Sequence, residues 1–415
     1  MVVAVNTLII GGGQAGLALS YCLTQHQHPH LILERAPQLA DAWRNHRWNS
    51  FTLVTPNWQT RLPGAAYQGD DPGGFWSRDQ VAAYLEQYAA SFNAPLHFNV
   101  RAVAVEPAAV GYLVRTSAGD YTATNVVVAT GLFQQPRIPA FSANLPDAIR
   151  QLHSGQYRDA ALLPPGAVLV VGSAQSGCQI AEELHQAGRK VYLCVGGSSG
   201  RAPRRYRGQD IMYWLAQIGF FARTVDNLPS PRAKFGGNPH VSGKDGGHSL
   251  NLHKFAHDGV TLLGRIVDIQ GSTIRLAPDL HANLAAADKF EADLLARIDQ
   301  YIDAHALAAP AEQPATWRDG YAAAAFAELD LAAAGVTCVI WAIGYTFDFT
   351  WVDLPVLDGD GFPVQQRGVT AFQGLYFLGL PWLHTITSGL LYGVGDDAAH
   401  IAGHILGHGT AQEPA

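Results

Sequence analysis

The sequence predicts an α/β fold made of two doubly wound domains, and three observations lead to this class. A strand of Val, Leu and Ile residues that ends at Ile10 runs into a glycine turn, 11–16, and then into a helical stretch. The same order returns at 167–187, where a second apolar strand meets a second glycine turn. Further apolar strands at 125–131 and 336–345 end in small residues. Strands that alternate with glycine turns and helices are typical of parallel sheets covered by helices.

The first glycine turn has the spacing of a Rossmann-like phosphate turn at the start of a helix. The missing Cβ of Gly13 lets a pyrophosphate approach the backbone, and the free N–H groups of the helix N-terminus favour an anion. Glu34 ends the next strand, 23 residues after Gly11, and would accept the hydroxyls of an unmodified ribose. An ordinary turn is the alternative. The residues expected at this dinucleotide are Gly11, Gly13, Gln14, Ala15, Gly16, Glu34 and Arg35.

The second glycine turn leads to a site of different charge. Val195 holds the position that matches Glu34, so no acid is present to repel a 2′-phosphate. The hydroxyl and guanidinium groups that follow bind phosphate, which favours NADPH. Ordinary surface charge is the alternative for the arginines. The expected contacts are Gly172, Ser173, Ala174, Gln175, Ser176, Gly177, Ser198, Arg201 and Arg204. Ala174 stands where the second glycine is expected, which predicts weaker nicotinamide dinucleotide binding.

Several segments are predicted to surround the first dinucleotide. The stretch 42–58 interleaves aromatic and polar residues, as suits a planar heterocycle, although a folded-over core loop is the alternative. The strands that end near Gly131 and Gly344 suit a close approach to the cofactor, and the closing helix after 388–397 could stabilise negative charge on it. A plain helix N-terminus is the alternative there. The residues expected in these segments are Trp43, Thr55, Trp58, Thr130, Gly131, Gly344, Tyr345, Gly379, Trp382, His384, Gly389 and Leu390.

Composition limits the class of protein further. The chain has 415 residues, 48% of them hydrophobic and 15% charged, with a net charge of −7, which predicts a well-packed enzyme and argues against a nucleic-acid partner. Its four cysteines include no CxxC pair, so neither a disulfide framework nor a dithiol mechanism is expected. The histidines between 240 and 257 lack a metal-ligand spacing, so no metal is expected. The sequence shows no export signal and no apolar run of membrane-span length, which predicts a cytoplasmic protein.

Three motifs together resemble the flavin-containing monooxygenases, within the NADPH-dependent class of flavoprotein monooxygenases. They are Val-Val-Ala-Thr-Gly at 127–131, Ala-Ile-Gly-Tyr at 342–345, and a histidine followed after three residues by an aromatic, His153 and Tyr157. The likeness covers nearly all of the chain, least well at 227–334. Asp147 and Ile149 depart from the family's fingerprint, and Pro56 replaces an asparagine that helps to hold the oxygenated flavin, with Asn57 one residue later. A divergent bacterial branch is therefore implied.

The resemblance implies a division of the chain and an activity. The FAD-binding domain is expected at 1–160 and 335–415, with the NADPH-binding domain inserted at 161–334 and an insertion of its own at about 206–334. NADPH would reduce FAD, and a flavin C4a-hydroperoxide would transfer one oxygen atom from O2 to a small organic substrate. Asn57, His153 and Tyr157 are the candidate catalytic residues.

Two alternatives to a monooxygenase stay open. One is a reductase that passes electrons to another acceptor, and the other is a flavin-binding regulatory protein that has lost catalysis. Neither the substrate nor the oligomeric state follows from the sequence, and a homodimer is one option.

Overall fold

The computed structural model describes residues 2–197, 200–230, 233–234 and 239–407, and two large sheets organise it. Ser198, expected at the second nucleotide, lies outside the described residues. Helices cover both sheets, which confirms the predicted α/β class. The α-helices of the described residues are α1 Gln14–Gln25, α2 Asp41–Asn45, α3 Arg78–Ser91, α4 Gln175–Gln186, α5 Ile211–Gln217, α6 Leu252–Asp258, α7 Leu280–Ala304 and α8 Val394–Ile405.

The first sheet has a parallel centre and an antiparallel flank. Val2–Ile10 lies between His30–Leu33 and Asp120–Val128 and is parallel to both. In spatial order, the strands are Leu96–His97, His30–Leu33, Val2–Ile10, Asp120–Val128, Tyr112–Thr116 and Ala102–Pro107. Leu375–Phe377 pairs in parallel with the last residues of Asp120–Val128, beyond the part that Tyr112–Thr116 covers. The late strand thus reaches the carboxyl edge where the first glycine turn begins.

The second sheet is parallel throughout. Its spatial order is Arg150–His153, Val336–Trp341, Ala167–Val171, Val191–Cys194 and Thr261–Leu263. The strand at 336–341 was expected to accompany the flavin in the first sheet, and that expectation is wrong. Val171 instead lies beside Trp341, in the centre of the second sheet. A buried run of Val, Cys, Ile and Trp suits any doubly covered parallel strand, so its composition did not reveal which sheet it joins.

The connections between the two sheets run side by side. Gln135–Pro136, which leaves the first sheet, pairs antiparallel with Tyr345–Thr346, which leaves the second. Both Arg150–His153 and Val336–Trp341 therefore lie on the far side of this crossing. We propose that the two domains meet near 132–149 and 342–346, and not at 160 and 335.

The remaining sheets are small, and all but one lie in the second unit. Ile266–Gln270, Thr273–Leu276 and Glu328–Asp330 form an antiparallel group. Gly200–Arg201, Pro239–Ser242 and His248–Ser249 form a mixed sheet, in which the first pair is parallel and the last two strands make an antiparallel hairpin. Two-stranded ribbons join Arg205–Tyr206 with Gln209–Asp210 and Arg61–Leu62 with Ala65–Ala66.

Each large sheet is buried on both faces. In the first sheet, Ile9 packs with α1 on one face, whereas Leu8 and Ile10 pack on the other. Val168 and Leu169 divide in the same way in the second sheet. Alternate side chains therefore enter separate cores, which explains the continuous apolar strands seen in the sequence. In the described part of the chain, no helix is both long and apolar enough to cross a bilayer.

Candidate functional site

The first glycine turn forms an open cradle at the start of α1. A Cβ on Gly16 would overlap the carbonyl oxygen of Gly11, so glycine is required for helix and strand to approach. A Cβ on Gly13 would meet no atom within 4 Å, which shows that this glycine faces open space. Among the described residues, no side chain caps the first turn of α1, and that turn contains no acid. Its free N–H groups are therefore available to an anion.

Glu34 stands at the rim of this cradle, as predicted. Its Oε2 accepts a hydrogen bond from the backbone N–H of Gly12 at 2.8 Å, and its Oε1 accepts one from Ala36 at 2.8 Å. The two bonds fix the carboxylate, and each oxygen keeps a lone pair for a further donor such as a ribose hydroxyl. Arg35 is exposed beside it.

Residues far apart in sequence converge on α1. The side-chain Nε2 of Gln14 donates to the carbonyl oxygen of Gly389 at 2.7 Å. Gly379 lies so close to Ala15 that a Cβ on this glycine would overlap the alanine methyl.

Gly131 has a φ of +66° and open space around it. Thr130 is exposed, and its hydroxyl accepts a hydrogen bond from Gln134 at 3.1 Å. Leu390 follows Gly389 and is 37% exposed.

Residues 52–60 present buried polar atoms without a partner. Asn57, Gln59 and Thr60 are at most 4% exposed. Among the residues that the structure describes, the atoms Thr52 Oγ1, Asn57 Oδ1, Gln59 Oε1 and Thr60 Oγ1 have no hydrogen-bond partner. Buried polar groups are nearly always paired, so this 52–60 segment has the character of a binding surface. Gln59 and Thr60 were not predicted, although the polar residues on both sides of Trp58, between Pro56 and Leu62, were the available signal.

The remaining aromatic candidates frame this region. Trp43 packs against Phe51, and Trp58 meets the Tyr392 ring edge-on at 5.9 Å between centroids. Trp382 is buried and has a φ of +61°, a strained conformation for a bulky residue. The backbone N–H of His384 donates a hydrogen bond to Ser388 Oγ at 3.1 Å. Thr55 is half-buried in the 52–60 segment.

The first turn of the closing helix α8 contains a buried acid. Asp397 lies in its first turn and is 2% exposed. Burial raises the pKa of this carboxyl, while Ser388 and Arg367 act in the opposite direction. An acid at this position offsets the partial positive charge of the helix N-terminus whenever it is ionised.

The second cradle repeats the first with one methyl added. A Cβ on Gly177 would overlap the Gly172 carbonyl oxygen, and one on Gly172 would lie 2.6 Å from that of Ala342. Ala174 precedes α4 with φ −75° and ψ −177°, almost the torsions of Gly13, φ −80° and ψ −172°. The alanine is therefore unstrained, and its cost would fall on a ligand. Ser176 is half-exposed in the first turn of α4.

Two side chains of the second cradle form hydrogen bonds with neighbouring backbone groups. The side-chain amide of Gln175 donates to the Val241 carbonyl at 2.7 Å and accepts from the Val241 N–H at 3.3 Å. Ser173 Oγ accepts from the N–H of Gly196 at 3.1 Å. Both bonds fix backbone around the turn.

Arg201 and Arg204 are enclosed by carboxylates. Arg201 is 9% exposed, and its guanidinium pairs with Asp288 at 2.5 Å and with Glu291. Arg204 is 2% exposed and pairs with Asp210 at 2.7 Å. The chain itself therefore already balances both charges. A role in binding a 2′-phosphate stays a prediction for these residues.

His153 and Tyr157 are buried, and the polar atoms of both side chains form hydrogen bonds. His153 Nε2 lies 2.9 Å from the Gly344 carbonyl, and Nδ1 accepts from the Gly155 N–H at 3.1 Å. Burial lowers the pKa of this imidazole, which favours the neutral form. Tyr157 donates its hydroxyl to Glu183 on α4 at 2.8 Å, and burial raises its pKa. Tyr345 stacks edge-on against His153, with ring centroids 4.6 Å apart. His153 thus ties the second sheet to the linker through Gly344.

Asn57 is the catalytic candidate with an unsatisfied atom. Its Nδ2 donates to the Asp71 carbonyl at 2.9 Å, whereas its Oδ1 meets no hydrogen-bond donor of the described residues. Among the described residues, no group of three or more His, Cys, Asp or Glu side chains is arranged to hold a metal ion. The site therefore offers oriented hydrogen-bond partners and two anion cradles, without a metal centre in the described residues.

Comparison with known proteins agrees with this geometry. Residues 8–218 match the family model described as pyridine nucleotide-disulphide oxidoreductase. A Geobacillus kaustophilus protein described as an uncharacterized oxidoreductase, CzcO-like, is 34% identical over 97% of this chain and 99% of its own. The indole-3-pyruvate monooxygenase YUCCA1 of Oryza sativa is 31% identical over 54% of each chain. The flavin-containing monooxygenase of Stenotrophomonas maltophilia has the same fold, with a TM-score of 0.64 at 20% identity, covering 98% of this chain and 99% of its own.

Proposed function

Because this chain belongs to the pyridine nucleotide-disulphide oxidoreductase family, in its flavin-containing monooxygenase-like branch, we propose that it is a FAD-dependent, NADPH-consuming monooxygenase of a small organic substrate. The observation that carries the proposal is the pair of phosphate cradles, one at each large sheet. The first has a carboxylate at its rim and the second has none at the matching position. The similarity to a plant monooxygenase, although it spans about half of each chain, favours oxygen transfer over simple reduction.

FAD fits the residues of the first cradle. The open space at Gly13 and the uncapped start of α1 suit its pyrophosphate, and Glu34 suits its ribose. The unpaired acceptors of the 52–60 segment, Asn57 Oδ1 and Gln59 Oε1, suit the N–H groups at the edge of a flavin ring. Removal of these atoms from water without a partner would otherwise be costly.

NADPH fits the second cradle less tightly. The start of α4 supplies N–H groups without a cap from the side chain of Ala174, and Val195 places no carboxylate at the position that matches Glu34. The Ala174 methyl would keep the pyrophosphate farther from the backbone N–H groups.

The chain's own residues position the reaction. When bound, the flavin supplies the redox chemistry between nicotinamide and O2. The α1 N–H groups and Glu34 hold one nucleotide, and α4 holds the other. The 52–60 segment covers the reacting region with buried side chains, which excludes water and strengthens polar interactions there. His153 fixes Gly344 at the crossing of the linkers, so the two cradles keep a defined separation.

The coenzyme preference is tested by Arg201. We expect NADPH to be preferred over NADH, and Arg201→Ala to reduce the ratio of the two kcat/KM values about tenfold, since one charge-assisted hydrogen bond to the 2′-phosphate is lost. This is the lower end of the range for such a bond, because Asp288 and Glu291 already share the guanidinium. Lys289→Ala, a change at an exposed residue on the same helix as Asp288 and Glu291, is the matched control. Equal kinetics with both coenzymes in the wild type would refute the assignment.

Oxygen transfer separates a monooxygenase from a reductase. A screen of small organic compounds for stimulated NADPH oxidation would identify a substrate, and turnover under ¹⁸O₂ would then place one heavy atom in the product. NADPH oxidation that yields only hydrogen peroxide, or reduction of an added acceptor without label, would favour the reductase. All four cysteines are free thiols, and burial raises their pKa values, which argues against a dithiol relay.

A further inference from the structure

The environment of Arg204 suits a structural contact between the two units better than a phosphate site. Its Nε donates to Asp210 Oδ2 at 2.8 Å, and its Nη2 lies 2.7 Å from the same oxygen. The guanidinium carbon lies 4.1 Å from the centroid of the Phe75 ring. Asp210 also caps α5, because its Oδ1 accepts from the Met212 N–H at 2.8 Å. The arginine is therefore held between a fixed carboxylate and an aromatic face.

The third guanidinium nitrogen contacts the 52–60 segment, which we propose to lie against the flavin. Arg204 Nη1 donates to the backbone carbonyl of Val54 at 2.7 Å. Val54 belongs to the 52–60 segment, in which four buried side-chain oxygens have no hydrogen-bond partner in the described part of the chain. A side chain of the second unit thus holds the backbone of the segment that we propose to cover the flavin.

The hairpin of Pro239–Ser242 and His248–Ser249 closes tightly around the same contact. A Cβ on Gly243 would overlap the carbonyl oxygen of Leu53, and a Cβ on Gly247 would lie 2.7 Å from the Phe75 ring. The backbone N–H of Arg204 donates to Ser249 Oγ at 2.8 Å. The contact is therefore closely packed on several sides, and a bound phosphate would have to displace these groups.

We propose that Arg204 is a positioning residue that holds the 52–60 segment against the flavin, and that it does not bind the 2′-phosphate of NADPH. The inference rests on the proposed flavin site. A planar guanidinium can donate to Asp210 and Val54 at once and stack on Phe75, whereas an ammonium cannot reproduce this geometry. Lysine does, however, bind phosphate as a point charge. Arg204→Lys therefore separates the two roles.

In the test, FAD affinity, flavin fluorescence and the NADPH-to-NADH ratio of kcat/KM are measured for Arg204→Lys and Arg204→Gln. We expect both variants to bind FAD about tenfold more weakly and to show an altered visible flavin spectrum, with the coenzyme ratio within about twofold of the wild type. Arg205, the exposed neighbour, supplies the matched controls Arg205→Lys and Arg205→Gln, for which the flavin spectrum stays unchanged.

Phe75→Leu provides a variant that keeps the charge. It removes the ring beneath the guanidinium and is expected to weaken FAD binding two- to threefold, with the same spectral direction. If Arg204→Gln does not fold, Arg204→Lys and Phe75→Leu still test the inference. An Arg204→Lys protein with wild-type flavin affinity and spectrum would overturn the inference, as would a selective loss of NADPH use in Arg204→Gln. Wild-type protein that binds no FAD would overturn the proposed function as well.

Discussion

Replacement of Ala174 by glycine isolates the one chemical difference between the two cradles. The torsions of Ala174 and Gly13 differ by only about 5° in φ and in ψ, and both are extended, so neither residue is strained. At Gly13 the space that a Cβ would point into holds no chain atom within 4 Å. The methyl of Ala174 is therefore expected to matter only when a pyrophosphate approaches the backbone.

The size of the effect follows from the hydrogen bonds at stake. A charge-assisted bond contributes about 1.5–3 kcal/mol, and a displacement of a few tenths of an ångström weakens one or two of them. We therefore expect Ala174→Gly to tighten NADPH binding by about 1 kcal/mol, or roughly fivefold in Kd. The gain from glycine at an N-cap and its greater unfolded-state entropy nearly cancel, so Tm should change little.

Calorimetric titration with NADP⁺ and with NAD⁺ provides the assay. Both should bind more tightly by the same factor, because they share the pyrophosphate, and this shared gain separates the effect from any change at the 2′-phosphate. The reciprocal change, Gly13→Ala, should weaken FAD binding with an unchanged Tm of the apoprotein. An Ala174→Gly protein with wild-type Tm and unchanged or weaker affinity for both coenzymes would refute the reasoning.

Three further predictions follow from packing and charge. Gly16→Ala should lower Tm by several degrees and reduce FAD binding, since the new methyl overlaps the Gly11 carbonyl and must push α1 off the sheet; thermal unfolding with and without FAD checks this. Glu182 Oε1 lies 2.8 Å from His248 Nε2 and raises the pKa of the imidazole. The pair therefore stabilises the fold at pH below the ordinary histidine pKa, and this contribution is lost as the pH rises through the raised pKa. Glu182→Gln should reduce Tm more at about pH 6 than at about pH 8, and an equal loss at both would contradict the assignment. The four thiols should react slowly with a thiol reagent in the native protein, because burial holds their pKa values high, reaching about 11 for Cys22 and Cys338 and about 12 for Cys178; fast labelling before unfolding would oppose this.

The sequence predicted those parts of the fold whose cause is local. Glycine turns after apolar strands require the missing Cβ at Gly16 and Gly177, so both cradles and the placement of Glu34 were visible without coordinates. The meeting of Gln14 with Gly389 was anticipated only as a shared site, because the hydrogen bond joins residues 375 positions apart.

The features that could not be predicted from the sequence depend on pairing between residues far apart in the chain. The strand Val336–Trp341 has the same composition whichever sheet it joins, and only its register with Ala167–Val171 decides the matter. The partners of Arg201 and Arg204 were hidden for a similar reason. Asp288 and Glu291 face Arg201 from a helix almost 90 residues later, and a cluster of arginines in sequence does not show which carboxylates lie opposite.

Anaerobic addition of NADPH to the FAD-loaded protein tests the central claim of two cooperating nucleotide cradles most directly. We expect the visible absorption of the flavin to disappear as one NADPH is consumed per flavin. Flavin that stays oxidised in the presence of excess NADPH, in protein whose FAD content has been verified, would contradict it.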